Sequence, residues 1–134
     1  MFIDYFQLFG GKPKQDRLTQ IEENLKDLKR ISKENEVIIF MASQLSRAVE
    51  SRCDKHPMLS DLRESGAIEN ISDVVVFLYR DEYYNFGEYY DELRPKGETE
   101  VIVAKNKFGC CGVVHLTFKA NIPKFYDKIV ESEF

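Results

Sequence analysis

Two polar residues follow apolar stretches at points where a site could form. Asp4 comes directly after Phe2 and Ile3 in an apolar run, and Gln44 follows the segment VIIFMA, which ends at Ala42. An aspartate after an apolar strand is the type of residue that holds magnesium in nucleotide hydrolases. A glutamine at position 44, after the second apolar segment, can orient a water molecule or contact a phosphate. Two alternatives remain open: Asp4 as an exposed strand-end residue, which spacing alone favours, and Gln44 as a helix cap.

A second candidate site lies in the segment SDLRESGAIE, residues 60–69. Arg63, with Ser65 and Gly66 nearby, offers side-chain and backbone donors that could contact a nucleic-acid phosphate backbone. The alternative is a surface ion pair between Arg63 and Glu64 or Glu69, which would contribute little to stability.

The elements that position these residues are predicted from hydrophobic periodicity. Residues 1–9 and 36–42 are nearly continuous apolar runs, which are typical of strands covered on both faces. Residues 17–35 carry apolar side chains at spacings of three and four, which predicts an amphipathic helix. Strand, helix and strand in this order predict a βαβ unit with parallel strands. Asp4 and Gln44 would then lie at the carboxyl ends of these strands, where α/β folds place their sites.

The polar segment that follows is predicted to contain short elements. Residues 45–52 are expected to form a short helix, and residues 53–60 a loop. Ser60 or Asp61 is expected to cap a further short helix, which Gly66 would end.

The second half of the chain is predicted to consist mainly of strands. Residues 73–80 are expected to form a buried apolar strand, and residues 99–106 and 112–119 are joined closely enough to predict an antiparallel hairpin. The tail, 121–134, carries an aromatic pair that could fold back on the sheet. The tyrosine-rich segment 81–97 could stack on bases, but its acidic residues repel phosphates and favour a surface loop.

Two lysines lie near the tip of the predicted hairpin, at Lys105 and Lys107, with Asn106 between them. They could reach the phosphates of a nucleotide bound to a neighbouring subunit. From the sequence alone, a solvated hairpin tip is the favoured interpretation.

The bulk composition narrows the class of protein. The 134 residues fit one domain, 1–134, and a net charge of −4 argues against an indiscriminate nucleic-acid binder. Three cysteines in no disulfide or metal-ligand pattern predict a reducing, cytoplasmic location. No apolar run is long enough for a membrane span, and the opening residues have the pattern of a strand rather than of a secretory signal. The phosphate-loop pattern GxxxxGK[ST] does not occur in the sequence.

Five motifs, in order along the chain, resemble the C-terminal ATPase domain of the bacterial replicative helicases, the DnaB family. They are MFIDYFQLF, EENLKDLKRISKENEVIIFMASQLSR, SDLRESGAIE, VFLYRDE and AKNKFG. The resemblance implies an α/β fold that is part of a RecA-like P-loop NTPase core. Its mostly parallel sheet would be flanked by helices and would end in an antiparallel C-terminal hairpin. Residues 1–134 would be a single domain, the half of the ATPase domain that lacks the Walker A loop and the catalytic glutamate.

The resemblance implies roles for two residues of the first half. MFIDYFQLF is similar to the family's Walker B strand, so Asp4 would hold the Mg²⁺ ion. SQL is similar to its glutamine motif, so Gln44 would couple the γ-phosphate of ATP to the DNA loop.

The resemblance also implies roles for residues further along the chain. Arg63, Glu64 and Gly66 would lie on the loop that contacts single-stranded DNA in the central channel of a ring. Lys105 and Lys107 would reach the γ-phosphate bound to the next subunit. The family usually has arginine at the second of these positions, and lysine lacks the bidentate fork of arginine. Cys110 and Cys111 also stand where the family has a Gly-Pro-like pair.

The resemblance implies a hexameric, ATP-dependent helicase that translocates on single-stranded DNA and unwinds duplex DNA during replication. ATP and Mg²⁺ would be its cofactors, and a helicase loader and primase its further partners, with no membrane. Because the phosphate loop is missing, residues 1–134 alone are not expected to hydrolyse ATP. Two alternatives stay open: a non-catalytic remnant that serves in binding or assembly, and a related RecA-like recombinase or accessory ATPase. An open sheet edge and an uncovered apolar face predict self-association.

Overall fold

The computed structural model describes residues 1–4, 16–62, 65–84 and 97–128. The chain divides into two compact units, 1–72 and 73–134. Several predicted features lie outside the described residues: most of the first strand and the loop after it, Arg63 and Glu64, most of the tyrosine-rich segment, and the end of the tail. The prediction of a single domain stays a prediction.

The first unit begins with the predicted strand–helix–strand order. β1 (Phe2–Ile3) and β2 (Phe40–Met41) are parallel, and Phe2 is in register with Phe40. The rings of these two phenylalanines stack with their centroids 5.2 Å apart. The helix α1 (Arg17–Glu34) lies between the strands in sequence, so the βαβ prediction is confirmed.

α1 follows the predicted apolar stripe, but only the middle of the stripe is buried. Ile21 and Leu25 are in the core, whereas Leu18 and Ile31 near the two ends are exposed. The helix ends at Glu34, and the side-chain amide of the C-cap residue Asn35 donates a hydrogen bond of 2.9 Å to the Ile31 carbonyl. In the described part of the chain, no helix is both long and apolar enough to cross a membrane.

Short elements follow β2. Residues 45–52 were expected to form a short helix, and Arg47–Ser51 form a 3-10 turn. A second 3-10 turn, Leu59–Asp61, precedes α2 (Ser65–Ile71), which packs against that turn and against α1. The prediction that Gly66 ends a helix is wrong, because Gly66 lies within the first turn of α2.

The second unit is an antiparallel sheet with the strand order β3-β4-β5-β6. Its elements are β3 (Val74–Tyr79), α3 (Asp81–Tyr84), β4 (Glu98–Asn106), β5 (Gly112–Lys119) and β6 (Lys124–Asp127). The predicted hairpin is confirmed as β4 and β5. The tail also folds back, since β6 pairs with β5 and the rings of Phe118 and Phe125 lie 4.9 Å apart.

The expectation of fully buried apolar strands is wrong for β3 and for the segment around β2. Along β3, Val75, Phe77 and Tyr79 are buried, while the alternate residues, including Leu78 at 62% exposure, face outward. Phe40 in β2 is 58% exposed. An uninterrupted apolar run predicts cover on both faces, but the described elements cover these strands only in part.

Candidate functional site

Asp4 and Gln44 lie beyond the same end of the parallel strand pair. Ile3 is in register with Met41, and the Ala42 N–H donates to the Ile3 carbonyl at 2.9 Å. Asp4 therefore follows the last residue of β1 directly, and Gln44 follows the last residue of β2 by three positions. Both side chains are exposed at this end of the sheet. The arrangement is the one that the βαβ prediction required.

The alternative role for Gln44, as a helix cap, is taken by Ser46. The Ser46 hydroxyl accepts a hydrogen bond of 3.3 Å from the Ala48 N–H and caps the 3-10 turn that begins at Arg47. Capping of this turn therefore does not account for a glutamine at position 44.

A backbone bridge connects the segment after Gln44 with the segment before Arg63. Leu45 and Leu62 form an isolated antiparallel β-bridge. Beside it, the Ser46 N–H donates a hydrogen bond of 2.7 Å to the Asp61 carbonyl. Leu62 is itself buried, so the bridge is part of the core of the first unit.

A partly buried ion pair lies next to this bridge. Both terminal nitrogens of the Arg52 guanidinium donate to the two Asp61 carboxylate oxygens, each at 2.8 Å, and the Asp61 side chain is only 5% exposed. Asp61 also accepts from the Met58 N–H at 2.7 Å. Burial by itself would raise the pKa of Asp61. The hydrogen bonds from Arg52 and Met58, with the charge of Arg52, outweigh burial and hold that pKa below its ordinary value.

Arg52 also orders the loop that the sequence places at 53–60. Its guanidinium donates to the His56 carbonyl at 2.7 Å and to the Asp54 carbonyl at 3.2 Å. The Asp54 carboxylate accepts from the His56 N–H at 3.0 Å, and this bond, with the contact to the His56 ring, lowers the pKa of Asp54. Among the described residues, no group of three or more acidic, histidine or cysteine side chains could hold a metal ion.

Of the predicted DNA-loop residues, only Gly66 is described. It lies in the first turn of α2, and a Cβ atom built on it would meet nothing within 4 Å. Gly66 is also exposed. Arg63 and Glu64, which connect Leu62 to α2, fall outside the described residues.

Lys107 lies just after β4 and is held by the residue that precedes β3. The Lys107 N–H donates to the Asp73 carbonyl at 2.9 Å, and Nζ lies 3.4 Å from an Asp73 carboxylate oxygen. The lysine side chain remains 43% exposed. The backbone contact fixes the base of Lys107, and its ammonium group pairs with the Asp73 carboxylate while the side chain stays partly exposed.

A β-bulge sets the orientation of Lys105. Val76 pairs with Val103, whereas the preceding Val75 pairs with Lys105, so Ala104 is an extra residue in β4. Directly paired residues project from the same face of a sheet. Lys105 is therefore on the face of Val75, which is the buried face of β3, and without the bulge it would project from the opposite face.

The hairpin turn that follows is organised by Asn106. Its side-chain oxygen accepts from the Phe108 N–H at 3.0 Å, and its amide nitrogen donates to the Cys110 carbonyl at 3.3 Å. The turn therefore forms with Cys110 and Cys111 in place of the Gly-Pro-like pair.

The described residues fit a magnesium-nucleotide complex in part. Mg²⁺ is commonly held by one or two carboxylates together with phosphate oxygens and water molecules, so a single aspartate at a strand end is a suitable protein ligand. Asp4 meets this requirement. The loop that would cradle the phosphates is not among these residues, because the sequence contains no GxxxxGK[ST] pattern.

Comparison with known proteins decides the family. The model of the DnaB-like helicase C terminal domain matches residues 1–127. The chain belongs to this family. The resemblance found in the motifs is thereby confirmed, together with the α/β fold class of a partial RecA-like core.

Curated relatives match a similar share of the chain. The chain is 45% identical over 125 residues to the replicative DNA helicase DnaB of Geobacillus stearothermophilus, covering 92% of this chain and 26% of the relative. It is 44% identical over 127 residues to the replicative DNA helicase DnaC of Bacillus subtilis, and that match covers 93% of this chain and 27% of the relative. The chain thus spans about a quarter of the length of these relatives.

Two solved structures share the fold. One is an ATPase domain that superposes with a TM-score of 0.85 at 43% identity, covering 95% of this chain and 43% of that one. The other is a DnaB-like replicative helicase, whose structure was described with its interactions with primase, and it gives a TM-score of 0.81 at 45% identity. That match covers 89% of this chain and 28% of the helicase chain.

The sequence interpretation did not identify Arg52 and Asp61, which pair in the first unit, or Asp73, which holds Lys107 in the second unit. Asp61 was considered only as a helix cap. Their contacts join residues 9 and 34 positions apart, and no periodic pattern marks such pairs. The one available signal was an apolar leucine on each side of the polar segment, at Leu45 and Leu62.

Proposed function

We propose that these residues are the C-terminal half of the ATPase domain of a hexameric replicative DNA helicase. The complete protein would hydrolyse ATP, translocate on single-stranded DNA and unwind the duplex. Residues 1–134 alone are proposed to be inactive in hydrolysis. The observation that carries the proposal is the placement of Asp4 and Gln44 beyond the carboxyl ends of two parallel strands, in a chain of the DnaB-like family.

In the proposal, each side chain has a role that suits its chemistry. Asp4 supplies one carboxylate ligand to Mg²⁺, which neutralises phosphate charge when it is bound with ATP. Gln44 donates or accepts a hydrogen bond at the γ-phosphate. Lys105 and Lys107 bring positive charge to the nucleotide of the adjacent subunit, with Asp73 holding the base of Lys107.

DNA contacts are assigned to Arg63, Glu64 and Gly66. Backbone N–H groups and an arginine contact phosphates without reading sequence, which suits an enzyme that moves along any strand. A helicase loader and primase are proposed as further partners, and a solved relative was described with its interactions with primase. The proposal includes a cytoplasmic location.

A second candidate function is a non-catalytic module for assembly. Residues 1–134 contain no GxxxxGK[ST] loop to cradle phosphates, so a module of this kind would not depend on nucleotide binding by these residues alone. Membership of the DnaB-like family weighs against a third candidate, a recombinase or accessory ATPase.

The test is ATP hydrolysis by the complete gene product that carries these residues, with the substitution Asp4→Asn. Asparagine keeps the size of the side chain and removes the charge, so magnesium-dependent turnover is expected to fall by at least about a hundredfold. Asp16→Asn is the matched control, because Asp16 precedes α1 and its side chain forms no cap hydrogen bond. Equal turnover in the two variants would refute the role of Asp4, and a wild-type protein without turnover would favour the assembly module.

A further inference from the structure

The Leu45–Leu62 bridge occupies a special position in the chain. Leu45 is the residue after Gln44, and Leu62 is the residue before Arg63. Two side chains that the proposed function assigns to different ligands, ATP and DNA, are therefore each one residue from a single backbone contact. A shift of one strand of the bridge must be accompanied by a shift of the other, or the bridge must break.

The bridge is held from one side by Asp61. The Asp61 carbonyl accepts from Ser46, next to Leu45, and its carboxylate is fixed by Arg52 through two hydrogen bonds of 2.8 Å. Arg52 follows the 3-10 turn that Ser46 caps. The contacts close a ring: Ser46 leads along the chain to Arg52, Arg52 binds the Asp61 side chain, and the Asp61 backbone returns to Ser46.

The other end of the segment that connects Leu62 to α2 is also held in place. α2 begins at Ser65 and packs against the 3-10 turn that contains Asp61. Only Arg63 and Glu64 lie between Leu62 and α2. Both ends of this two-residue connection are thus attached to the same small assembly, whose position the Arg52–Asp61 pair sets.

We propose that Arg52 and Asp61 are positioning residues that couple Gln44 to the DNA-contacting segment through the Leu45–Leu62 bridge. The inference rests on the proposed function and adds the element that transmits the signal. The pair suits this role because bidentate arginine–carboxylate contacts fix direction as well as distance. Removal of one partner leaves a buried charge without compensation, which loosens the assembly at the bridge itself. Coupling of the two binding free energies through the bridge must be equal in both directions, from ATP to DNA and from DNA to ATP.

The test uses the complete gene product and measures two ratios. One is ATP hydrolysis with and without a single-stranded oligonucleotide, and the other is oligonucleotide affinity with and without a non-hydrolysable ATP analogue. Asp61→Asn removes the charge, and Arg52→Lys keeps the charge while removing the bidentate fork. Arg30→Gln is the matched control, since Arg30 forms ion pairs with Asp27 and Glu34 on the exposed surface of α1.

The expected result is a loss of coupling with basal hydrolysis retained. Asp61→Asn should reduce the affinity ratio by about fivefold or more, the lower range of known couplings between sites, and should also reduce the stimulation of hydrolysis by the oligonucleotide. Arg52→Lys should give an intermediate loss, and Arg30→Gln no loss. Amide hydrogen exchange should become faster at Ser46, whose N–H bonds to Asp61. If Asp61→Asn does not fold, Arg52→Lys alone decides the question.

Three outcomes overturn the inference. If the wild type is coupled and both variants keep their ratios, the pair has no positioning role and the proposed function stands. If the variants lose basal and DNA-stimulated hydrolysis in equal proportion, the pair serves only the fold. If the wild type hydrolyses no ATP, the proposed function fails, and the coupling fails with it.

Discussion

Gly97 offers a sharp test of how the second unit is built. It precedes β4, and its φ of 85° is in the left-handed region that side chains with a Cβ rarely adopt. Its carbonyl accepts from the Phe118 N–H at 2.7 Å, and its N–H donates to a Glu82 carboxylate oxygen at 3.0 Å. The bond from Phe118 draws the start of β4 onto the end of β5, and the bond to Glu82 ties it to α3, so the hairpin that carries Lys105 depends on this residue.

Gly97→Ala is expected to destabilise the protein through two effects. A left-handed conformation costs about 1–2 kcal/mol for a residue with a Cβ. The new methyl group would also overlap the Phe118 carbonyl oxygen, which is backbone and cannot rotate away, and such overpacking costs about 1–3 kcal/mol. Alanine recovers about 0.4–1 kcal/mol by restricting the unfolded chain. The net loss is expected to be about 1–5 kcal/mol.

The assay is urea unfolding followed by far-ultraviolet circular dichroism. Gly112→Ala is the matched control, because Gly112 begins β5 and a Cβ there would meet nothing within 4 Å. The control should change the free energy of unfolding by less than about 1 kcal/mol. Equal unfolding midpoints for the two variants would refute the reasoning about Gly97.

Three further predictions concern the site and its surroundings. The stabilising effect of ionised Asp61 is complete above its unfolded pKa of about 3.9 and is lost as pH falls through its lower folded pKa. The difference in unfolding free energy between wild type and Asp61→Asn should therefore shrink on acidification. Lys107→Arg should raise the ATP turnover of the complete gene product, since arginine offers a bidentate fork to the phosphate. Residues 1–134 should self-associate in light scattering, and Leu78→Lys, on the exposed face of β3, should reduce the association.

For each of these three predictions, a specific result would contradict it. A stability difference that stays constant down to about pH 2 would mean that the Asp61 pKa is not lowered. Turnover unchanged or lower with Lys107→Arg would argue that this side chain does not contact the γ-phosphate. A monomer at high concentration would show that the exposed apolar residues do not drive association.

Local periodicity made much of the fold predictable. The spacing of Ile21 and Leu25 marked α1, and the short connection between two strands marked the hairpin of β4 and β5. The placement of Asp4 and Gln44 at one end of a parallel pair followed from the order of the elements alone.

Features that depend on pairing between distant residues were not predictable in the same way. The bulge at Ala104 moves the Lys105 side chain to the other face of the sheet. A continuous apolar run gives no sign of where the alternation of side chains between the two faces shifts. The Arg52–Asp61 pair joins two polar residues in a segment without periodicity. Gly66 was interpreted as a helix terminator, because glycine is disfavoured in helices, although the first turn of a helix tolerates it.

Strand separation by the complete gene product tests the central claim most directly. The substrate is a forked DNA duplex with a single-stranded arm, and the reaction is followed with and without ATP and Mg²⁺. The account predicts unwinding that requires both and that is lost in Gln44→Ala while the protein remains folded. A folded gene product that binds single-stranded DNA but separates no strands with ATP would contradict the account and would leave an assembly module as its function.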